Sequence, residues 1–207
     1  MSTIRRRIGK ERTITEWYRH TMLRKYLRSW VSRETPVNID RLKNRLIAKI
    51  ITRFPSLAER FIDAYEPWKS ADIPWTPVTK DLGESTVAVV TTAGVHHQDQ
   101  EPFNMTDHDG DPSWRVIDLR RPLSSLMITH DYYDHADADR DINIVFPVER
   151  LKEFEQEGLI GRVADLHYGL MGHITGRHIL TLIGTTAREI AGRLKSDKVD
   201  IVLLIPG

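Results

Sequence analysis

The chain has 207 residues, 40% of them hydrophobic, a formal net charge of +1 and no cysteine. That is enough for one globular domain plus an accessory segment, and it excludes disulfides, thiolate metal ligands and a cysteine nucleophile among these residues. No stretch approaches the ~20 apolar residues that span a bilayer, and Ile4-Arg5-Arg6-Arg7 is not followed by the apolar core of a signal peptide, so a cytoplasmic protein outside membranes is expected.

The near-neutral total hides a split. Residues 1–60 hold 16 Lys/Arg against 5 Asp/Glu, net +11, whereas residues 61–207 hold 14 against 24, net −10. The basic residues are interleaved with apolar ones and no recognition motif accompanies them. That favours docking on an acidic surface, of the chain's own second half or of a partner, over binding nucleic acid. Residues 1–66 read as a basic helical arm, with one apolar stripe at Leu23, Tyr26, Leu27 and Trp30 and another at Ile39, Leu42, Leu46 and Ile50, both read as packing surfaces. Ser56-Leu57-Ala58-Glu59 carries the capping-box spacing of a third helix. Residues 67–78, with Pro67, Pro74 and Pro77 around Trp68 and Trp75, read as an extended connector.

From residue 79 to 207 strands and helices alternate. Thr86–Thr91 is a β-branched run without polar alternation, as expected of a parallel strand covered on both faces, and Thr92-Ala93-Gly94 ends it in a turn. A short strand is read at Trp114–Asp118 and another at Ser125–Thr129, ending at His130. Pro147 opens a helix with Leu151 and Phe154 inward and Gly158 just past its end. A later helix buries Ile190 and Leu194 and leads into the strand Val199–Ile205, which runs into Pro206-Gly207. Strand, crossover and strand imply an α/β fold: a doubly wound, mostly parallel sheet with an N-terminal helical arm.

In such a sheet the carboxyl ends of the strands form the ligand crevice. That edge would gather Thr91, Thr92, Gly94 and His96 with the run His130-Asp131-Tyr132-Tyr133-Asp134-His135 and with Pro206-Gly207. The run at 130–135 is the richest: general acid–base work needs a histidine held by a carboxylate, which points to His130, Asp131, Asp134 and His135. The following Asp137, Asp139, Asp141 and Asn143 are read as turn residues bonding one another and the loop backbone. His130-x-x-x-Asp134-His135 resembles part of a binuclear metallo-hydrolase pattern, but Tyr132 stands where a further histidine belongs and no third or fourth ligand follows at usual spacing, so no metal is expected. The glycines of His167-Tyr168-Gly169-Leu170-Met171-Gly172 permit close backbone approach to a ligand. Ser113 and Arg115 are a candidate anion site, the stretch Asp107–Asp111 reads as an exposed turn, and His20 reads as a surface residue.

Taken in order, Val78-Thr79-Lys80-Asp81-Leu82, Thr91–His96, Thr129–His135, Asp141-Ile142-Asn143, Phe146-Pro147 and His167–Gly172 resemble the selenoprotein B family of glycine, sarcosine, betaine and D-proline reductases over about residues 74–207. The resemblance implies an oxidoreductase subunit for reductive cleavage of the C–N bond of an amino acid or derivative, with electrons from a thioredoxin-like dithiol and a pyruvoyl-bearing or substrate-activating partner subunit. It also implies a selenocysteine immediately after Gly207, so that the chain is expected to stop where a UGA codon is read as a terminator. His130 or His135 would then protonate the leaving amine, Thr91, Thr92 and the Gly94 backbone would bind the carboxylate, and His96, Tyr133, Tyr168 and Gly169 would complete the substrate site. The alternatives are a non-catalytic small-molecule-binding subunit of the same fold and, behind it, the metal hydrolase.

Overall fold

The computed structural model describes residues 38–54 and 76–207. The stripe at 23–30, His20, the capping box at 56–59 and the tryptophans of the connector lie outside those residues. Residues 40–207 group as one compact unit. It is a mixed α/β structure with a mostly parallel sheet and a helix, α1 (Ile39–Arg53), near its N-terminal side.

Strand β1 (Thr86–Thr91) is central and its last five residues are buried, because each of its faces is covered. On one side it pairs in parallel with β7 (Ile201–Ile205), from Val87 opposite Ile201 to Thr91 opposite Ile205. On the other it pairs in parallel with the short β5 (Arg162–Val163) and then with β6 (Leu166–Leu170). Strand β3 (Trp114–Asp118) adds to β6, antiparallel. Val87 and Val89 pack with Phe146, Val148 and Leu151, the last two from α2 (Val148–Gln156). Ala88 and Val90 pack with Tyr168, Leu170 and the α4 (Ala187–Ser196) residues Ile190 and Leu194. Burying each such aliphatic side chain contributes about 1.5–3 kcal/mol. A short helix α3 (His178–Thr181) reaches α4 through a π-helical stretch, Leu182–Thr186, where Thr186 donates to Pro112 O at 2.7 Å.

Three expectations are corrected. The strand predicted at 125–129 is β4 (Leu126–Ile128), and it belongs to a separate two-stranded antiparallel sheet with β2 (Val95–His97) rather than to the parallel sheet. The cause is the turn at Gly94, which sends the chain back so that Thr129 N donates to Gly94 O. Phe154 is 44% exposed, since α2 is short and only Val148 and Leu151 of it are buried. The stripe on α1 is not a packing surface here: Leu42 and Leu46 are 59% and 58% exposed, and Ala48 is the buried residue of the helix. The helix is held instead by Arg41 and Arg45, both on Asp131.

Candidate functional site at the carboxyl edge of the sheet

The carboxyl ends of β1, β6 and β7 converge. Thr92 N donates to Ile205 O at 2.9 Å, Gly94 N to Leu170 O at 2.8 Å, and Gly207 N to Thr92 Oγ1 at 3.3 Å. Gly94 has φ +75°, and a Cβ there would lie 2.4 Å from Thr129 O, so the turn that brings the 130s loop to this edge needs glycine. A Cβ on Gly169 would lie 2.0 Å from Val95 O, which makes this glycine a crossing point of two backbones. These same contacts consume the backbone donors expected to bind a substrate carboxylate, and burial closes off the Thr91 hydroxyl. The Thr91 hydroxyl, fully buried, accepts from Ala93 N, and the amides of Thr92 and Gly94 are engaged as above.

His130 closes the edge from above, 4% exposed, with Tyr132 and Tyr133 edge-on to its ring. Its Nδ1 faces Tyr132 N and its Nε2 faces Gly172 N, each at 3.2 Å. A neutral imidazole has one acceptor nitrogen and an imidazolium has none, so two facing N–H groups oppose protonation. Burial, reinforced by the charges of His173 and His135, pushes the pKa of His130 down to about 4. It is a neutral ring at pH 7, and among the described residues no carboxylate hydrogen-bonds to it.

Asp131, the neighbouring carboxylate, is fully buried and accepts from Arg41 Nε and, at 2.7 Å, from Arg45 Nε. Burial pushes its pKa up, but the hydrogen bonds from the two guanidinium groups outweigh this and hold it below the ordinary carboxylate value. The histidine that does carry a carboxylate is His135, whose Nδ1 lies 2.8 Å from Asp139 Oδ2. Between the two histidines stands Tyr133. Its hydroxyl donates to Ala93 O at 3.1 Å, its ring meets those of both His130 and His135, and burial pushes its phenol well above the usual value. Asp134 accepts from Ala136 N at 3.3 Å. A cavity of about 430 Å³ opens between α1 and this loop, lined by Leu42, Leu46, Arg45, Lys49, Tyr133, Asp134, His135 and Asp139.

Other residues singled out by sequence are placed inside the fold. His96 is fully buried, Nδ1 donating to His97 O and Nε2 accepting from Thr129 Oγ1, each at 2.8 Å. Tyr168 is buried with Trp114, Ile190 and Leu194. Ser113 and Arg115 are engaged internally: Arg115 donates to Ser113 Oγ, Glu101 O and Pro102 O, and Ser113 to Asp111. Asp107 is bound by Arg177 and His178. Asp137, Asp139, Asp141 and Asn143 bond one another and their own loop, as turn residues do. His167, which opens the second motif singled out by sequence, spans the break between β5 and β6: its Nδ1 accepts from Val89 N and its Nε2 donates to Ala164 O. Sequence reasoning missed Arg41 and Arg45 as partners of Asp131, for which separations of 90 and 86 residues leave no local signal. Among the described residues no group of three or more His, Asp or Glu side chains converges as a metal site, and no helix is long and apolar enough to cross a membrane.

The family model for glycine/sarcosine/betaine reductase selenoprotein B matches residues 1–206. The chain belongs to this family. As a selenoprotein B family member it is 41% identical over 133 residues to D-proline reductase subunit gamma of Acetoanaerobium sticklandii, covering 64% of this chain and 53% of that protein. It is 31% identical over 136 residues to glycine reductase complex component B subunit gamma of Carboxydothermus hydrogenoformans, covering 64% of this chain and 30% of that protein. To betaine reductase complex component B subunit beta of Peptoclostridium acidaminophilum it is 33% identical over 132 residues, covering 60% and 28%. The match thus spans about half of the D-proline reductase subunit and about a third of the other relatives. No solved structure matches. The relatives are subunits of reductase complexes, and in this selenoprotein B homologue the end of β7 meets Thr92 and Ala93, beside the Gly94 turn.

Proposed function

We propose that the chain is a subunit of a cytoplasmic reductase that cleaves the C–N bond of an amino acid of the D-proline, glycine, sarcosine or betaine class. In the balanced reaction the carbon–nitrogen bond is replaced by carbon–hydrogen, the amine departs, or for D-proline stays tethered as the ring opens, and a thioredoxin-like dithiol becomes a disulfide. The observation that carries the reading is the arrival of Pro206-Gly207 against Thr92 and Ala93, with a Cβ at Gly207 only 2.4 Å from Ala93 Cα, beside His130 and the Gly172 turn. In a doubly wound sheet, which we take this to be, that edge is where ligands bind.

None of the 207 residues is a cysteine, and the redox group is placed, as the family resemblance implies, on a selenocysteine following Gly207. A selenol at this edge would supply an anionic nucleophile at neutral pH, as a low-pKa thiolate does. The chain's own residues bind and protonate. His135, oriented through Nδ1 by Asp139, is the proton donor to the leaving amine. His130, held neutral, packs edge-on against Tyr133 and positions it. Asp131 anchors α1 over the loop. A partner subunit, in this reading one bearing a pyruvoyl group, completes the complex.

The test is to read the gene past codon 207 and to assay the complete subunit, assembled with its partners, with a dithiol donor, for amine release from glycine, sarcosine and betaine and for ring opening of D-proline to a linear primary amine. An in-frame UGA with coding sequence beyond it, and consumption of one substrate matched by dithiol oxidation, are expected. A UAA or UAG with no continuation, or an assembled complex that consumes none of the four, overturns the reading.

A further inference from the structure

We propose that the cavity between α1 and the 133–139 loop is the substrate pocket, and that α1 supplies the cations that take the substrate's carboxylate. This rests on the reductase reading and deepens it. The β1 turn offers little to a carboxylate: Thr91 is fully buried with Oγ1 accepting from Ala93 N, and the amides of Thr92 and Gly94 donate to Ile205 O and Leu170 O. The unspent donors lie across the loop. Arg45 uses Nε on Asp131, which leaves its two terminal nitrogens without a hydrogen bond among the described residues. Lys49 stands one turn further along the same helical face and lines the same cavity. Its ammonium has no ion pair among the described residues. A guanidinium edge fixed at Nε by a buried carboxylate is pre-oriented for a planar anion.

The opposite wall has the other polarity. Asp139 holds His135 through Nδ1, and His135 Nε2 has no hydrogen-bond partner among the described residues. Asp134 completes this wall, and Leu42, Leu46 and Tyr133 supply the apolar surface between the two. Cations on one side, carboxylates and an imidazole on the other, and an apolar floor between them match a zwitterion with a small hydrocarbon body, its carboxylate toward Arg45 and Lys49 and its amine toward His135 and Asp139. A phosphate or a dicarboxylate would meet Asp134 and Asp139 with like charge. The orientation puts the nitrogen of the bond to be cleaved beside His135, where the departing amine needs a proton. It makes α1, the most basic helix of the described structure, a part of the substrate site rather than a spacer.

The test is calorimetric titration of D-proline, glycine, sarcosine and betaine into the full 207-residue chain, and of the tightest binder's decarboxylated counterpart, pyrrolidine in the case of D-proline. Saturable binding is expected, weakened about tenfold by Lys49→Gln, as for loss of one charge-assisted contact. Leu46→Trp, which fills the cavity, is expected to abolish binding with an unchanged melting temperature. No binding by the wild-type chain, equal binding of the decarboxylated amine, or wild-type affinity in Leu46→Trp overturns the proposal. In the assembled complex, turnover with KM unchanged in both variants would remove this pocket while leaving the reductase reading intact. Binding that the variants abolish, in a complex that reduces none of the four, would remove the reductase reading and leave the pocket.

Discussion

Arg41 and Arg45 converge on a carboxylate that has no contact with water, and this predicts an asymmetry between removing the acid and removing the bases. Asp131→Asn leaves two arginines whose side chains are 37% and 56% exposed and can turn to solvent. Its cost is that of charged hydrogen bonds exchanged for water, about 1.5–3 kcal/mol. Arg41→Met with Arg45→Met leaves the Asp131 charge buried and uncompensated, at about 3–5 kcal/mol. The pH dependence separates the two causes. In the wild type the depressed pKa of Asp131 means that its stability contribution is present above the unfolded value, near pH 4, and is lost as pH falls through the lower folded value. In the double variant burial acts alone, the folded pKa rises above the unfolded one, and the penalty is full above that raised pKa and relieved as pH falls through it. Urea unfolding of wild type and variant at pH 7 and pH 5 checks this: the difference between them is expected to shrink at pH 5. A difference under about 1 kcal/mol at pH 7, or one that does not change with pH, would refute the picture of Asp131 as a charge held in place by α1.

His130 and His167 are both held at pKa about 4, so the stability they carry is complete above pH 6.5 and declines as pH falls toward 4, with a slope of about 1.4 kcal/mol per pH unit for each. His167→Ala is expected to remove one of these slopes and to cost about 1–3 kcal/mol at pH 7 through the unpaired Val89 N–H; urea unfolding that keeps the full slope would contradict the assignment. Gly94→Ala and Gly158→Ala both place a side chain at φ near +75°, at about 1–2 kcal/mol, but only at Gly94 does the new Cβ strike backbone, so its melting temperature should fall much further, and equal losses would count against the turn as built. His135→Gln in the assembled complex should lower kcat by about 10²–10⁴ with the fold retained by circular dichroism, and unchanged kcat would remove His135 as proton donor.

Much of the sheet is legible in residue order. The β-branched run at 86–91 announces a strand buried on both faces, Pro147 and Gly158 bracket α2, and the spacing of Ile190 and Leu194 places the inner face of α4; each follows from a rule that acts over one or two turns of chain. The family, too, is carried by short ordered motifs. What the sequence could not decide are relations between distant segments. Whether 126–128 joins the main sheet or pairs back on 95–97 depends on the left-handed turn at Gly94, and the same apolar strand satisfies either pairing. Whether the stripe on α1 packs or lies exposed depends on what holds the helix, and here two guanidinium groups on Asp131 hold it by its polar side. Within the 130s loop, sequence supplies two histidines of equal standing. Tertiary structure separates them, burying His130 between opposed amides as a neutral ring and leaving His135 beside Asp139 at the mouth of the cavity, because solvation and partner geometry, which set a pKa, exist only once the chain has folded.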